Sequence, residues 1–178
     1  MTTSPAEPLL EVVVEDDRWA AVDLEGLADR AARAVLTYLG LPPEGFEIAL
    51  LAADDTRLAE LNGTFRGKPV PTNVLSWPAL DLGPPPHPAA PEPGPPGLPE
   101  SLGDIALAWE TCAREAAEAG RPLQAHLTHL VVHATLHLLG HDHGCDAQAT
   151  VMEGLEVAIL AQLGVPDPYG ETAAERLG

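Results

Sequence analysis

Apolar and polar positions along the first 110 residues predict strands and helices in turn. Residues 9–14 (LLEVVV) are rich in β-branched side chains and predict a strand. Residues 23–39 carry leucine, alanine and valine at helical spacing and predict a helix that ends before Gly40. Asp54 or Asp55 is expected to cap a short second helix. Three further segments predict strands: residues 46–53, 72–78 and 104–110.

The second half of the chain has the pattern of helices. A short helix is expected over residues 111–120, and a final helix is expected from a cap at Asp146 to Gly164. Between them, the segment from Pro122 to Gly140 contains no acid, lysine or arginine, and apolar side chains surround most of its circumference. We therefore predict a buried central helix, and in total about five helices and four strands.

A segment rich in proline and glycine separates the last two predicted strands. Residues 79–101 lack amide donors at their many prolines and resist ordering at their glycines. This segment, called the insertion below, is expected to be mobile and solvated, with a flexible lid over a site as the alternative. The remainder predicts one domain spanning residues 1–178.

Composition and charge restrict the classes of function. The 178 residues are 46% hydrophobic and 20% charged, which suits one globular domain. No apolar run could span a membrane, and the N-terminus lacks a secretory pattern, so a cytoplasmic protein without a membrane partner is expected. The 27 acids and 9 basic residues give a formal net charge of -18, which predicts poor nonspecific binding of nucleic acid. Cys112 and Cys145 are expected to be reduced thiols.

The segment HATLHLLGHDHG, residues 133–144, predicts a metal site. His133 and His137 lie one helical turn apart, and Gly140 can reverse the chain so that His143 joins them. Three imidazoles leave a fourth tetrahedral position, where a water would have a pKa near neutrality, so a catalytic site with one Zn²⁺ per chain is favoured. Cys145 is a minor rival ligand. His126 and His129 share the helical stripe but lack the ligand spacing, and are expected to support the site or the fold.

Three segments resemble the YbeY family of bacterial rRNA maturation factors: HATLHLLGHDH, LNGTFRGKPVPTNVLSWP and LGDIALAWETCAREA. The resemblance covers roughly residues 45–163 apart from the insertion. It implies an α+β fold, with a four-stranded mixed sheet, flanking helices and a metal site at the end of the buried central helix. It also implies a metal-dependent endoribonuclease, specific for single strands, that acts in ribosomal RNA maturation and ribosome quality control.

By the same resemblance, His133, His137 and His143 would bind zinc, and Arg66 would be the basic catalytic residue beside the metal. The implied partners are single-stranded ribosomal RNA, the small ribosomal subunit and its assembly factors, with no DNA expected. The chemistry of Arg66 independently supports this role, because a guanidinium can bind phosphate oxygens with two hydrogen bonds.

Two other functions stay open on the sequence alone. One is a non-catalytic ribosome assembly factor whose zinc is structural. The other is a zinc hydrolase of peptides or small molecules, although Ala134 stands where the protease pattern H-E-x-x-H has its general base. The acidic chain could accept RNA if its acids face away from a cleft edged by Arg66 and Lys68.

Overall fold

The predicted strands form one mixed sheet in a computed structural model that describes residues 9–169. The strands are β1 (Leu10–Val14), β2 (Phe46–Ala53), β3 (Val74–Pro78) and β4 (Glu100–Ala108). Their order in the sheet is β1-β2-β4-β3. Strands β1, β2 and β4 run parallel, and β3 pairs with β4 in the antiparallel direction. The ends of the predicted domain, residues 1–8 and 170–178, lie outside the described residues.

Five α-helices accompany the sheet in the described residues, which confirms the predicted α+β class. They are α1 (Leu24–Tyr38), α2 (Asp55–Arg66), α3 (Trp109–Glu118), α4 (Leu123–Leu138) and α5 (Asp146–Gln162). The Asp54 side chain caps α2 by accepting a hydrogen bond from the backbone N–H of Arg57. None of the helices within residues 9–169 is long and apolar enough to cross a membrane.

Several predicted boundaries differ from those in the structure. Trp109 begins α3 instead of lying within the fourth strand, which was predicted to end at Glu110. Its ring packs edge-on against Trp19 with centroids 5.0 Å apart. Strand β4 starts earlier than predicted, at Glu100, because it pairs with β2 along its whole length. The cap of α5 is Cys145, and Asp146 is the first residue of that helix.

Helix α4 lies at the centre of the larger of two cores. This core combines α1, α4 and α5 with one face of the sheet, and Val131, Val132 and Leu136 of α4 have no exposed surface. A smaller core on the other face joins α2 to the sheet through Leu58 and Leu75. The absence of charge along α4 is thus explained, since each fully buried aliphatic side chain stabilises the fold by about 1.5–3 kcal/mol.

The insertion contacts the domain at several places. Near its C-terminal end, the backbone N–H of Gly94 donates to the carbonyl oxygen of Gly45 at 2.9 Å, and Pro91 is buried. Nearer its start, Pro88 packs so close to Gly140 that a Cβ atom there would lie 2.7 Å from the Pro88 Cβ. The insertion therefore lies over the turn that follows α4. Its predicted mobility stays a prediction.

Candidate metal centre

The C-terminal half of α4 places two histidines at the boundary between the core and solvent. His133 and His137 are partly buried, while Ala134 and Leu136 between them are buried. The one-turn spacing brings the two rings together, with the Nε2 atoms 3.1 Å apart. Two ring nitrogens aimed at one point need a shared proton or a cation between them.

The turn after α4 brings in the third histidine. Gly140 adopts a φ of 96°, a left-handed conformation that favours glycine, and the backbone N–H of His141 donates to the carbonyl of Leu136 at 3.0 Å. The chain then reverses, and the backbone N–H of His143 donates to Asp142 Oδ1 at 2.8 Å. The His143 ring lies 5.3 Å from that of His133 and 5.2 Å from that of His137, measured between centroids.

The three histidines together could hold a metal ion. One nitrogen from each of His133, His137 and His143 lies within 4.8 Å of the other two. Tetrahedral zinc with metal–nitrogen distances of about 2.0–2.1 Å separates neighbouring nitrogens by roughly 3.3 Å, so the 3.1 Å between the first two fits this geometry. The exposed Cys145 is not a member of this group within the described residues.

The charge state of His137 also suits a metal ligand. Burial is the main cause that lowers the pKa of His137 to about 4, and the neighbouring His133 and His143 rings lower it further against the effect of Asp142. The ring is therefore neutral at pH 7, with a lone pair available. Histidine binds metals in this neutral form.

Behind His133 lies a buried carboxylate that the sequence reasoning missed. Glu156 of α5 has no exposed surface, and its Oε1 accepts a hydrogen bond from His133 Nδ1. Its Oε2 accepts a hydrogen bond from the hydroxyl of Tyr169 and lies 3.5 Å from His129 Nε2. One signal was available in the sequence: Glu156 stands one turn from both Met152 and Leu160, so it interrupts an apolar stripe.

Hydrogen bonds keep this carboxylate ionised. Burial by itself raises the pKa of Glu156, but the hydrogen bonds from His129, His133 and Tyr169 outweigh burial and hold that pKa at about 2. Burial and the bond to Glu156 together raise the pKa of Tyr169 well above its usual range. The cluster behind His133 therefore contains one negative charge and a tyrosine that stays protonated.

The three histidines open into a cavity of about 460 Å³. Its wall also includes Arg66, Asn73, Val74, Ser76, Pro78, Ala134 and Asp142. Arg66 reaches it from the end of α2, where its Nη2 donates to the carbonyl oxygen of Ser76 at 2.9 Å. Lys68, which was expected at the edge of the cleft, is exposed and is not among the described lining residues. Arg66 thus supplies the positive side chain of this wall.

The other two histidines of the stripe point to different partners. His126 Nε2 lies 3.0 Å from Glu115 Oε1, and Asn73 Nδ2 donates to the same oxygen at 3.0 Å. His129 contacts Tyr169, with 3.3 Å between its Nε2 and the hydroxyl oxygen. Neither ring is part of the three-histidine group. Glu115 and Asn73 form a polar link between α3 and the cavity wall that the sequence did not reveal.

The fold and the cavity define an α+β protein with three clustered histidines and an arginine open to solvent. The chain belongs to the YbeY family, because the family model described as Endoribonuclease YbeY matches residues 12–164. The resemblance inferred from the three sequence segments is thereby confirmed.

Curated relatives match the chain over nearly its whole length. Endoribonuclease YbeY of Dinoroseobacter shibae is 59% identical over 170 residues, which cover 93% of this chain and 92% of the relative. Endoribonuclease YbeY of Cereibacter sphaeroides is 56% identical over 166 residues, which cover 92% of this chain and 99% of the relative.

A solved structure also has a similar fold. The solution structure of TM1509 from Thermotoga maritima matches with a TM-score of 0.52 and 18% identity, covering 87% of this chain and 91% of that one. At this identity the likeness supports the fold alone.

Proposed function

We propose that this chain is a zinc-dependent endoribonuclease that cleaves single-stranded RNA during maturation and quality control of ribosomal RNA in the cytoplasm. One observation carries the proposal: three histidine nitrogens within 4.8 Å of one another and the Arg66 guanidinium share a single open cavity. Membership of a family whose curated members are named Endoribonuclease YbeY supports the same reaction.

In this proposal His133, His137 and His143 hold one zinc ion per chain. Bound zinc supplies a Lewis acid, which polarises phosphoryl oxygens and lowers the pKa of water. The side chain of His143 is 54% exposed and the group faces the cavity, so a substrate can approach it. A closed structural site would instead surround the ion with four protein ligands, and the described residues offer three. The openness favours catalysis over a purely structural metal.

Arg66 would bind the phosphate that is cleaved. One of its five N–H groups donates to the carbonyl of Ser76, which holds the guanidinium at the cavity wall and leaves the others for substrate. Phosphodiester cleavage places additional negative charge on the non-bridging oxygens, and a fixed guanidinium stabilises that charge with two parallel hydrogen bonds.

The cavity favours RNA over peptides as the substrate. Ala134 lines the cavity at the position where the protease pattern H-E-x-x-H places its general base. The carboxylate in the wall is Asp142, whose Oδ1 accepts the backbone N–H of His143. Asp142 thus holds the third histidine in place. A peptidase would lack its usual base here.

An exposed aromatic ring beside Arg66 supports the preference for single strands. Phe65 is 64% exposed, and its ring contacts Trp77 edge-on with centroids 5.6 Å apart. Unpaired bases can stack on such a ring, whereas bases inside a duplex already stack on each other. A strand that places a phosphate on Arg66 could therefore place a neighbouring base on Phe65.

The net charge of -18 shapes how RNA would reach the site. A chain this acidic repels RNA at long range, so we expect ribosomal partners, namely the small subunit and its assembly factors, to provide the encounter. Part of the acidic surface lies elsewhere, since Glu15, Asp54 and Glu60 line a separate groove beside Arg57. No DNA or membrane partner is expected.

The test is a cleavage assay with the zinc-loaded protein on a single-stranded RNA oligonucleotide. Duplex RNA, single-stranded DNA of the same sequence and an unstructured peptide serve as alternative substrates. We expect cleavage of single-stranded RNA and a zinc content near one per chain by elemental analysis. His133→Ala should lose both the metal and the cleavage, because it removes one of the three ligands.

The matched control is His87→Ala, which removes an exposed histidine of the insertion that lies outside the three-histidine group. This variant should keep the wild-type zinc content and the wild-type rate. Zinc content unaffected by His133→Ala would overturn the ligand assignment. Zinc binding without RNA cleavage would favour an assembly factor, and cleavage of the peptide alone would favour a peptide hydrolase.

A further inference from the structure

The carboxylate of Glu156 lies at the back of the metal centre, on the side away from the cavity. Both of its oxygens have partners: Oε1 faces His133 Nδ1, and Oε2 faces the Tyr169 hydroxyl and His129 Nε2. The residue has no exposed surface, so water does not share these contacts. Burying a carboxylate without hydrogen-bond partners costs free energy of folding. Glu156 nevertheless lies in a helix whose other inward positions are apolar.

The hydrogen bonds determine which nitrogen of His133 carries a proton. A carboxylate only accepts, and a tyrosine hydroxyl has one proton to donate, so Tyr169 donates to Oε2. By the same rule, the contact with Oε1 requires the proton of His133 to be on Nδ1. The lone pair of His133 is then on Nε2, which faces His137 Nε2 at 3.1 Å.

The segment after α5 holds Tyr169 in this position. Arg121 Nη2 donates to the carbonyl oxygen of Pro168 at 2.8 Å, and the backbone N–H of Tyr169 donates to Asp167 Oδ1 at 2.8 Å. The Tyr169 ring meets the His129 ring edge-on, with centroids 5.6 Å apart. The chain beyond α5 therefore returns to the metal centre from behind and supplies a hydrogen-bond donor there.

We propose that Glu156 and Tyr169 are positioning residues for the metal: Glu156 fixes the tautomer and direction of His133, and Tyr169 fixes Glu156. The segment that follows α5 would thereby tune the affinity of a metal site formed by α4. This inference rests on the metal-binding role of His133 in the proposed function. It does not depend on the substrate.

The experiment measures zinc affinity by competition with a chromogenic chelator, and it measures thermal unfolding of the metal-free protein in parallel. Glu156→Gln keeps the size of the side chain, but its amide offers one acceptor to two donors. We expect zinc affinity to fall by about 10- to 100-fold, the usual loss when a partner of a ligating histidine is removed. Tyr169→Phe should give a smaller loss, because the carboxylate and its bond to His133 remain.

Glu153→Gln is the matched control, since Glu153 lies on the same helix but is exposed. It should leave zinc affinity unchanged. Cobalt substitution gives a second readout, because the visible spectrum of bound Co²⁺ reports ligand geometry. The spectrum should change in Glu156→Gln and stay unchanged in Glu153→Gln. In the double variant Glu156→Gln/Tyr169→Phe, the effect of the tyrosine should disappear, because both act through one carboxylate.

The inference would be overturned if Glu156→Gln lowered only the melting temperature and left both the zinc affinity and the cobalt spectrum unchanged. Glu156 would then be a structural residue. If Glu156→Gln does not fold, Tyr169→Phe decides: a loss of affinity without a loss of stability supports the inference, and equal affinity overturns it. A wild-type protein that binds zinc but leaves RNA intact would defeat the proposed function alone. A wild-type protein that binds no zinc would defeat both.

Discussion

At the scale of single residues, Arg66 is the side chain on which the nuclease proposal most depends outside the histidines. It is exposed and lines the cavity, and one of its N–H groups is held by the carbonyl of Ser76. This contact has a consequence for substitution. A lysine could place its single ammonium near the same carbonyl, but it could not also present two parallel donors to one phosphate.

We therefore predict that Arg66→Ala keeps its fold and its zinc. Its single-turnover cleavage of single-stranded RNA should slow by about two to three orders of magnitude. This loss corresponds to about 2.7–4 kcal/mol of transition-state stabilisation, as expected when one preorganised donor is removed. Arg66→Lys should recover part of the rate. Complete recovery in Arg66→Lys would mean that positive charge alone matters, and wild-type cleavage by Arg66→Ala would remove Arg66 from the mechanism.

At the scale of elements, the turn between α4 and His143 determines whether His143 lies beside the other two histidines. Gly140 has a φ of 96°, and a Cβ atom placed there would meet the Pro88 Cβ at 2.7 Å. Gly164 offers a matched comparison: it follows α5 with a φ of 75°, and a Cβ atom there would have open space.

Gly140→Ala and Gly164→Ala should each lose about 1–2 kcal/mol of stability, because the left-handed conformation disfavours a side chain. Only Gly140→Ala should also weaken zinc binding, because relief of the contact with Pro88 shifts the turn that presents His143. Denaturant titration and chelator competition measure the two effects. Equal zinc affinity in the two variants would show that the turn tolerates the displacement.

At the scale of the whole molecule, the distribution of charge predicts an unusual salt response. The chain has 9 lysines and arginines against 27 acids, and Arg66 is the positive side chain of the cavity wall. Few phosphates can therefore be neutralised on binding. The logarithm of RNA affinity should fall with the logarithm of salt concentration with a slope of about one to three. Fluorescence anisotropy of a labelled oligonucleotide measures it, and a steep slope would show that lysines or arginines other than Arg66 also contact the phosphates.

The three-histidine group could be predicted because its parts are close in sequence. His133 and His137 lie one turn apart on a single helix, Gly140 permits the reversal, and His143 follows within three residues. Local backbone geometry is enough to bring such residues together. The strands and most helix ends followed for the same reason, since their periodicity and caps are local features.

For residues that are distant in the chain, packing of the helices determines which ones become neighbours. Glu156 and Tyr169 reach the back of His133 only because α5 packs on α4 and the following segment turns back. Trp109 lies in α3 and not in the predicted strand, and in that position its ring packs against Trp19. A side chain's burial, its charge state and its hydrogen-bond partner depend on what the fold places beside it, and no local pattern records that neighbour. The sequence by itself determined the class of fold and the spacing of the three histidines; the tertiary structure decided which carboxylate contacts His133 and where Arg66 is held.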